Sequence, residues 1–273
     1  MSIALYRSYR RALKATPFSG RFMPYGWGGL PNSLSATWMA YSQMLGEFST
    51  ELANAINGFT HDVQRLRAWS LVVAPLSDQQ KLSATHEFID TLATNAVNLP
   101  YVIRSRFAFA AAHLCHQANL AKDLAGWTDD LPLDGEIWLN TADKYGKAWP
   151  GYVPLKLCLE AIGAKAFKDA TGDFRNAYNH RFSPRFVVGM TGLVTRIVDK
   201  TSGRVCYGFG GREPLNLAEV AELLTAERDR CYAAFTAFQA LVAEQVAAIA
   251  GHERSIETWL VAPMGQPAPS LVP

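Results

Sequence analysis

Leu34, Trp38, Tyr41, Leu45, Phe48, Leu52 and Ile56 recur at intervals of three and four residues, and this spacing narrows the choice of fold more than any other feature of the chain. Side chains so spaced share one face of a helix, whereas a strand would scatter them over both of its faces. The pattern begins at about Ser33. It predicts a helix that continues, with a kink near Gly58, through Val63 and Leu66 to about Val73, where Pro75 stops it. A second long stripe holds Leu217, Val220, Leu224, Tyr232, Phe235, Phe238, Val242 and Ile249, with Asn216 placed to cap it and an end near Ala250. Two such helices need further helices to cover their apolar faces. The fold class expected is mainly α, a multi-helix bundle.

The remaining elements fit that frame. Ser77-Asp78-Gln79-Gln80 reads as a capped helix start, with Leu82, Phe88, Ile89 and Leu92 as its buried stripe. Pro100 predicts a break before another helix from Tyr101 to about Leu124. A polar loop with Asp129, Asp130 and Asp134 follows, then a short helix near Glu136 to Tyr145 and one from Pro154 to Ala170 that Gly172 stops. Val194–Asp199 and Arg204–Phe209 flank Lys200-Thr201-Ser202-Gly203, the clearest β-hairpin signal in the chain, directly before the long C-terminal helix. Residues 1–32 read as a basic and aromatic lead-in, largely irregular, with a short surface helix or arm and with Phe22, Tyr25 and Trp27 docking on the core. Residues 33–260 read as one helical domain and 261–273 as a disordered tail.

With 49% hydrophobic and 18% charged residues in 273, a large packed core is expected and disorder is not. A net charge of +2 means that any nucleic-acid site is a local patch rather than the whole surface. Cys115, Cys158, Cys206 and Cys231 form no CxxC pair and read as buried reduced thiols. No uninterrupted apolar run reaches the length of a membrane span, since Phe107–Cys115 is broken by His113. A cytoplasmic protein is the expectation, although the acid-poor, Arg-rich start also has the composition of a transit peptide.

The segment Asp173 to Arg185 (DFRNAYNHRFSPR) carries the strongest chemical signal. Asp173 is placed to cap a helix that Pro184 keeps short. On that helix Asn176 and His180 share a face, and Arg175 lies about 7.5 Å from His180 along the axis. From Arg175 to Val198 there is no acidic residue, while Arg175, His180, Arg181, Arg185 and Arg196 are all present, a field suited to a phosphodiester. A histidine moves protons near neutral pH and an arginine beside it stabilises phosphorane charge. RNA supplies its own nucleophile in the 2′-hydroxyl, so neither a metal nor a cofactor is expected.

Arg175-Asn176-x-x-x-His180 resembles the signature of the HEPN superfamily, helical domains in which an arginine, a polar residue and a histidine sit near the start of a helix. The resemblance covers this motif and the helical character of the chain. It implies a metal-independent endoribonuclease or RNA-binding protein of a defence or toxin–antitoxin system. It also implies a homodimer whose two motifs face each other, with RNA and an antitoxin or effector as partners and no membrane. Carried over, Arg175 and His180 are catalytic and Asn176 is the polar supporter. Arg181, Arg185 and Tyr178 are assigned to substrate binding, although the ring of Tyr178 also suits packing on the core. The competing reading is a non-catalytic helical interaction module in which Arg175 and His180 pin a helix junction.

Other clusters carry blander readings. His113 and His116 share a helix face, and His86 or Asp123 could complete a metal site, but their Ala-rich setting favours structural histidines. Gly208-Phe209-Gly210-Gly211-Arg212 lacks the GK[ST] of a phosphate loop and reads as a turn. Asp129, Asp130 and Asp134 read as an exposed capping loop. Phe22, Tyr25 and Trp27 beside Arg7, Arg10, Arg11 and Arg21 are a second RNA-contact candidate, with docking under the lead-in as the alternative.

Overall fold

The structure is a computed structural model that describes residues 2–31 and 34–261, with side chains described as far as Ser255. Its elements in chain order are α1 (Ser2–Ala15), α2 (Met39–Val73), α3 (Asp78–Ala84), α4 (Asp90–Ala118), α5 (Leu139–Gly146), α6 (Tyr152–Ala161), α7 (Lys165–Ala170), α8 (Phe174–His180), strands β1 (Val194–Val198) and β2 (Val205–Phe209), and α9 (Leu217–Val261). The fold is mainly α, with an antiparallel hairpin directly before the long C-terminal helix.

Three rods form the centre. The apolar stripe of α2 buries Tyr41, Ile56, Phe59 and Leu66 against α4 and α9. α9 answers with Leu224, Phe235, Phe238, Val242 and Ile249, and Phe238 meets Phe107 of α4 edge-on at 5.7 Å. A buried polar thread ties the rods together: Tyr41 Oη donates to Gln245 Oε1 at 2.8 Å, and Gln245 Nε2 donates to Cys115 Sγ at 3.1 Å. By length and composition Leu217–Ser255 could cross a membrane, yet here it packs on α2, α4 and α6 and buries Glu227, Arg228 and Gln245.

Carboxylates along α9 hold the connections. Glu227 Oε2 accepts the Gly163 N–H, Glu244 Oε2 accepts that of Gly151, and Glu253 accepts Ser35 N–H together with the Trp38 indole N–H. Each satisfies a backbone donor at a turn or helix start that no helical carbonyl reaches. Asn216 Oδ1 caps α9 itself through the N–H groups of Ala218 and Glu219.

Several expectations change. Pro100 lies inside α4 rather than breaking it, because Ala96, Val97 and Ile103 around it are fully buried and hold the rod together against the missing hydrogen bond. The irregularity falls earlier, in a π-helical turn at Thr85–Ile89. One extra residue in that turn rotates the preceding face by about 100°. Leu82 thus leaves the stripe of Ile89 and Leu92 and is 60% exposed. The helix expected from Pro154 to Ala170 is two, α6 and α7, separated at Gly163 with φ +63°. Leu34 precedes the first helical turn of α2, and α9 runs past Ala250 to Val261.

Ser2–Ala15 form α1, whose Leu5 and Tyr9 join the main core; Tyr9 stacks on Trp69 at 4.5 Å. Of the lead-in aromatics, Trp27 docks edge-on against Phe235 and Phe238, whereas Phe22 and Tyr25 are exposed. The hairpin pairs Val194 with Phe209 through Val198 with Val205, and Asp199 Oδ1 accepts the N–H groups of Thr201 and Ser202 in its turn. The segment from 262 onward, expected to be a tail, lies outside the described residues.

Candidate functional site

Two successive left-handed residues, Gly172 (φ +62°) and Asp173 (φ +55°), turn the chain sharply from α7 into α8. Asp173 stands at the cap position, but its side chain does not cap. Its main chain serves instead, donating to Lys168 O at 2.7 Å and accepting Ala177 N–H at 2.9 Å. Phe174 and Ala177 are buried, with the Phe174 ring 5.1 Å from that of Phe186. Once those two positions face the core, helical geometry turns Arg175, Asn176, Asn179 and His180 toward water. α8 ends at His180, as Pro184 predicts.

Arg175, Asn176, Asn179 and His180 line one open concavity of about 290 Å³, completed by Tyr101, Lys168 and Asp173. The Arg175 guanidinium carbon lies 4.9 Å from the centre of the Tyr101 ring, a cation–π contact that orients it. Tyr101 in turn packs on Gly163, where a Cβ would stand 2.8 Å from its ring edge. Burial raises the Tyr101 phenol above its ordinary value; the carboxylates of Asp173 and Glu227 push the same way, and Arg175 and Arg104 push back. Among the described residues neither Arg175 nor His180 forms an ion pair with a carboxylate. Asp173 is the acid of the site. It accepts from Asn176 Nδ2 at 2.8 Å and lies 3.7 Å from both Lys168 and Arg181.

The sequence-predicted residues therefore separate. Arg175 and His180 share the concavity. Asn176 is engaged with Asp173 rather than with the imidazole. Arg181 stands at Asp173. Tyr178 is 54% exposed instead of core, stacked on Phe174 at 5.9 Å, and with Arg185 it lines a different concavity of about 280 Å³ against Asp90, Thr91 and Thr94. Tyr101 and Lys168 were missed because nothing local marks them; their place follows from the packing of α4 and α7 on α8. Asn179 lay within the motif, one turn after Arg175, and helical spacing alone could have found it.

The other clusters resolve into structural roles. His113 is buried against Phe48 and Phe109, with Asp134 Oδ1 3.3 Å from Nε2 but without hydrogen-bond geometry. His116 Nε2 lies 3.6 Å from Asp129 and 3.4 Å from Thr128 O. The two rings meet different carboxylates, and among the described residues no three His, Cys, Asp or Glu side chains are placed to hold a metal ion. Asp130 is tied to Lys144 and to the Tyr145 hydroxyl, so the three aspartates bind their loop to α4 and α5 rather than cap a helix. The glycine-rich segment, expected to be a turn, is extended: Gly210 N–H and Arg212 N–H are spent on Leu193 O and Thr191 O, which continues the antiparallel pairing past the hairpin and leaves no anion cradle. The four cysteines are free thiols, two of them buried.

The fold and site define a helical protein with a basic, open concavity on a short helix. Comparison with protein-family models, with curated proteins and with solved structures finds no match to this chain.

Proposed function

We propose that the concavity under α8 binds an RNA phosphodiester and cleaves it without a metal, in the manner implied by the HEPN resemblance. The observation that carries the reading is that Arg175 and His180 are exposed, line the same cavity and, among the described residues, have no carboxylate partner. A guanidinium without an anion, held 4.9 Å over the centre of an aromatic ring, is ready to take a phosphate. Lys168 and Arg181 add positive charge at the same rim and outweigh the single Asp173.

In this reading an imidazole removes the 2′-hydroxyl proton, the 2′-oxygen attacks phosphorus, and the 5′-oxygen leaves with a proton. Arg175 stabilises the charge on the pentacoordinate phosphorus. A homodimer with facing motifs supplies two His180 side chains, one as base and one as acid. The reaction leaves a 2′,3′-cyclic phosphate and a 5′-hydroxyl. The test is a single-stranded RNA incubated with the protein in EDTA, beside DNA of the same sequence. RNA cut to cyclic-phosphate ends with DNA intact supports the reading; RNA left whole at every protein concentration overturns it.

A second reading, an interaction module without catalysis, is favoured by the hairpin. Val194, Ile197, Val198, Val205, Tyr207 and Phe209 are all exposed, so the hairpin offers apolar side chains with no cover. In that case the protein binds a partner through the hairpin and His180→Ala changes nothing measurable.

A further inference from the structure

We infer that α1 and the lead-in segment after it form a second surface, separate from the α8 concavity, that binds single-stranded nucleic acid. The inference rests on charge and geometry at the N-terminus and does not depend on cleavage at His180.

Charge is distributed unevenly along the chain. Five of the 26 basic residues and none of the 24 acidic ones lie before Glu47, leaving the remainder with 21 bases against 24 acids. Four of the five fall at Arg7, Arg10, Arg11 and Lys14, the i, i+3, i+4, i+7 spacing that gathers side chains on one face of a helix. All four are exposed, and among the described residues no carboxylate lies within ion-pair distance of them; Arg11 reaches only Ser8 Oγ. Other arginines of the protein do have such partners, as Arg65 has Asp62, Arg67 has Glu222 and Arg230 has Glu227. The stripe from Arg7 to Lys14 runs about 10 Å along the helix.

The opposite face of α1 decides what kind of partner fits. Leu5 and Tyr9 are buried, Tyr9 stacks on Trp69, and Tyr6 reaches Phe88 at 6.4 Å. The apolar side of the helix is thus occupied by α2 and the α3–α4 rod. A helix that lies in a bilayer surface needs that side free. Apart from Ile3 and Tyr6 near its start, the large side chains that α1 turns to water are cationic, which suits a polyanion in solution.

Aromatic rings stand beside it. Phe18 and Phe22 are 48% and 50% exposed and stack on each other at 5.2 Å, with His61 5.0 Å beyond Phe22. Their backbone is held in place: Gln64 Nε2 donates to Thr16 O, Arg228 to Ser19 O, and Asn57 makes two hydrogen bonds with the main chain of Met23. Exposed rings on a fixed backbone beside unpaired cations are what unpaired bases and their phosphates require, stacking for the one and charge for the other. A duplex keeps its base faces covered, so a single strand is the better fit.

The test is fluorescence anisotropy with labelled single-stranded RNA and DNA 15-mers of one sequence, in EDTA, using Arg175→Ala/His180→Ala protein so that only binding is read. Replacing Arg7, Arg10, Arg11 and Lys14 by Gln is expected to weaken binding at least tenfold. It should also reduce the slope of log K against log salt by about 3, near 0.7 for each phosphate no longer neutralised. Phe22→Ala is expected to weaken binding about tenfold with no change in the salt slope. A two-charge control, Lys200→Gln/Arg204→Gln on the hairpin, matched to the helix pair Arg7→Gln/Lys14→Gln, should bind as the parent does. Similar weakening for RNA and DNA indicates recognition of phosphate and base; weakening for RNA alone adds recognition of the 2′-hydroxyl. Undiminished binding by the helix variant overturns the inference. So does equal weakening by the hairpin control, or binding to anionic phosphatidylserine vesicles with none to either oligonucleotide. Circular dichroism of each variant, with Arg7→Gln/Lys14→Gln as a milder pair, separates impaired binding from impaired folding.

Discussion

Asp173 combines two demands that ordinarily conflict. It adopts a left-handed backbone at φ +55°, and it is also the only carboxylate among the residues lining the Arg175 and His180 concavity. Asn tolerates the left-handed region as Asp does, and it keeps a side-chain oxygen for the Asn176 amide. Asp173→Asn should therefore leave the melting temperature nearly unchanged while tightening RNA binding a few-fold at low salt, because one negative charge leaves the site. Anisotropy titrations at two salt concentrations check this, and a weaker complex would contradict it. A second residue-scale prediction concerns pH. Burial holds the His113 imidazole below its ordinary value, with Asp134 opposing and His116 adding to the depression. The unfolded chain takes up that proton near pH 6.5, the folded one only at lower pH. Between those two values the unfolded state binds more protons, so this contribution to stability is complete above about pH 6.5 and is lost as pH falls below it. Thermal melts from pH 8 to 5 should show a shallower fall for His113→Gln than for the parent protein. Parallel curves would count against it.

At the scale of elements, the long helices were legible and the joints between them were not. The three-and-four spacing of Tyr41 to Ile56 fixes α2 because burial of a continuous stripe outweighs local propensity. The hairpin was equally plain, since Asp199 and Gly203 supply turn chemistry that few other arrangements use. Pro100 misled because a local rule met a rod held by the fully buried Ala96, Val97 and Ile103. The π turn at Thr85–Ile89 has no sequence signature, so the loss of Leu82 from the buried face was invisible. Gly163 shows how a joint governs the site. A side chain there would be strained at φ +63° and would meet the Tyr101 ring at 2.8 Å. Gly163→Ala is expected to cost about 1–3 kcal/mol and to displace the ring under Arg175, lowering RNA affinity with it. A melting curve and one binding isotherm test both halves. In the central rods, Phe238→Ala removes a fully buried ring from the α4–α9 interface, and a drop of about 3–5 kcal/mol in denaturant unfolding is the expected result.

For the whole molecule, the architecture separates a rigid helical body from parts that only touch it. β1 is exposed along its whole length and β2 nearly so. Replacing residues 194–209 by a short Gly-Ser linker should shift the melting temperature by only a few degrees, since little apolar area is removed from the core; a collapse of the fold would show that the hairpin supports it. Most of the candidate site lies in one stretch of sequence, because Asp173, Arg175, Asn176, Asn179 and His180 fall within eight consecutive residues. The rest, Tyr101 and Lys168, comes from α4 and α7 and depends on tertiary packing. The different sides taken by Tyr178 and His180 follow from which positions of α8 face the core, and Phe174 and Ala177 decide that.

The central claim is that one imidazole on α8 does chemistry on RNA. The most direct measurement is the single-turnover cleavage rate of one RNA in EDTA by the wild-type protein and by His180→Ala, with melting curves of both. The account predicts a fall of at least about 10²-fold, as expected for loss of a general acid or base, at an unchanged melting temperature. Equal rates for the two proteins, or cleavage that stops when EDTA is added to the wild type, would contradict it.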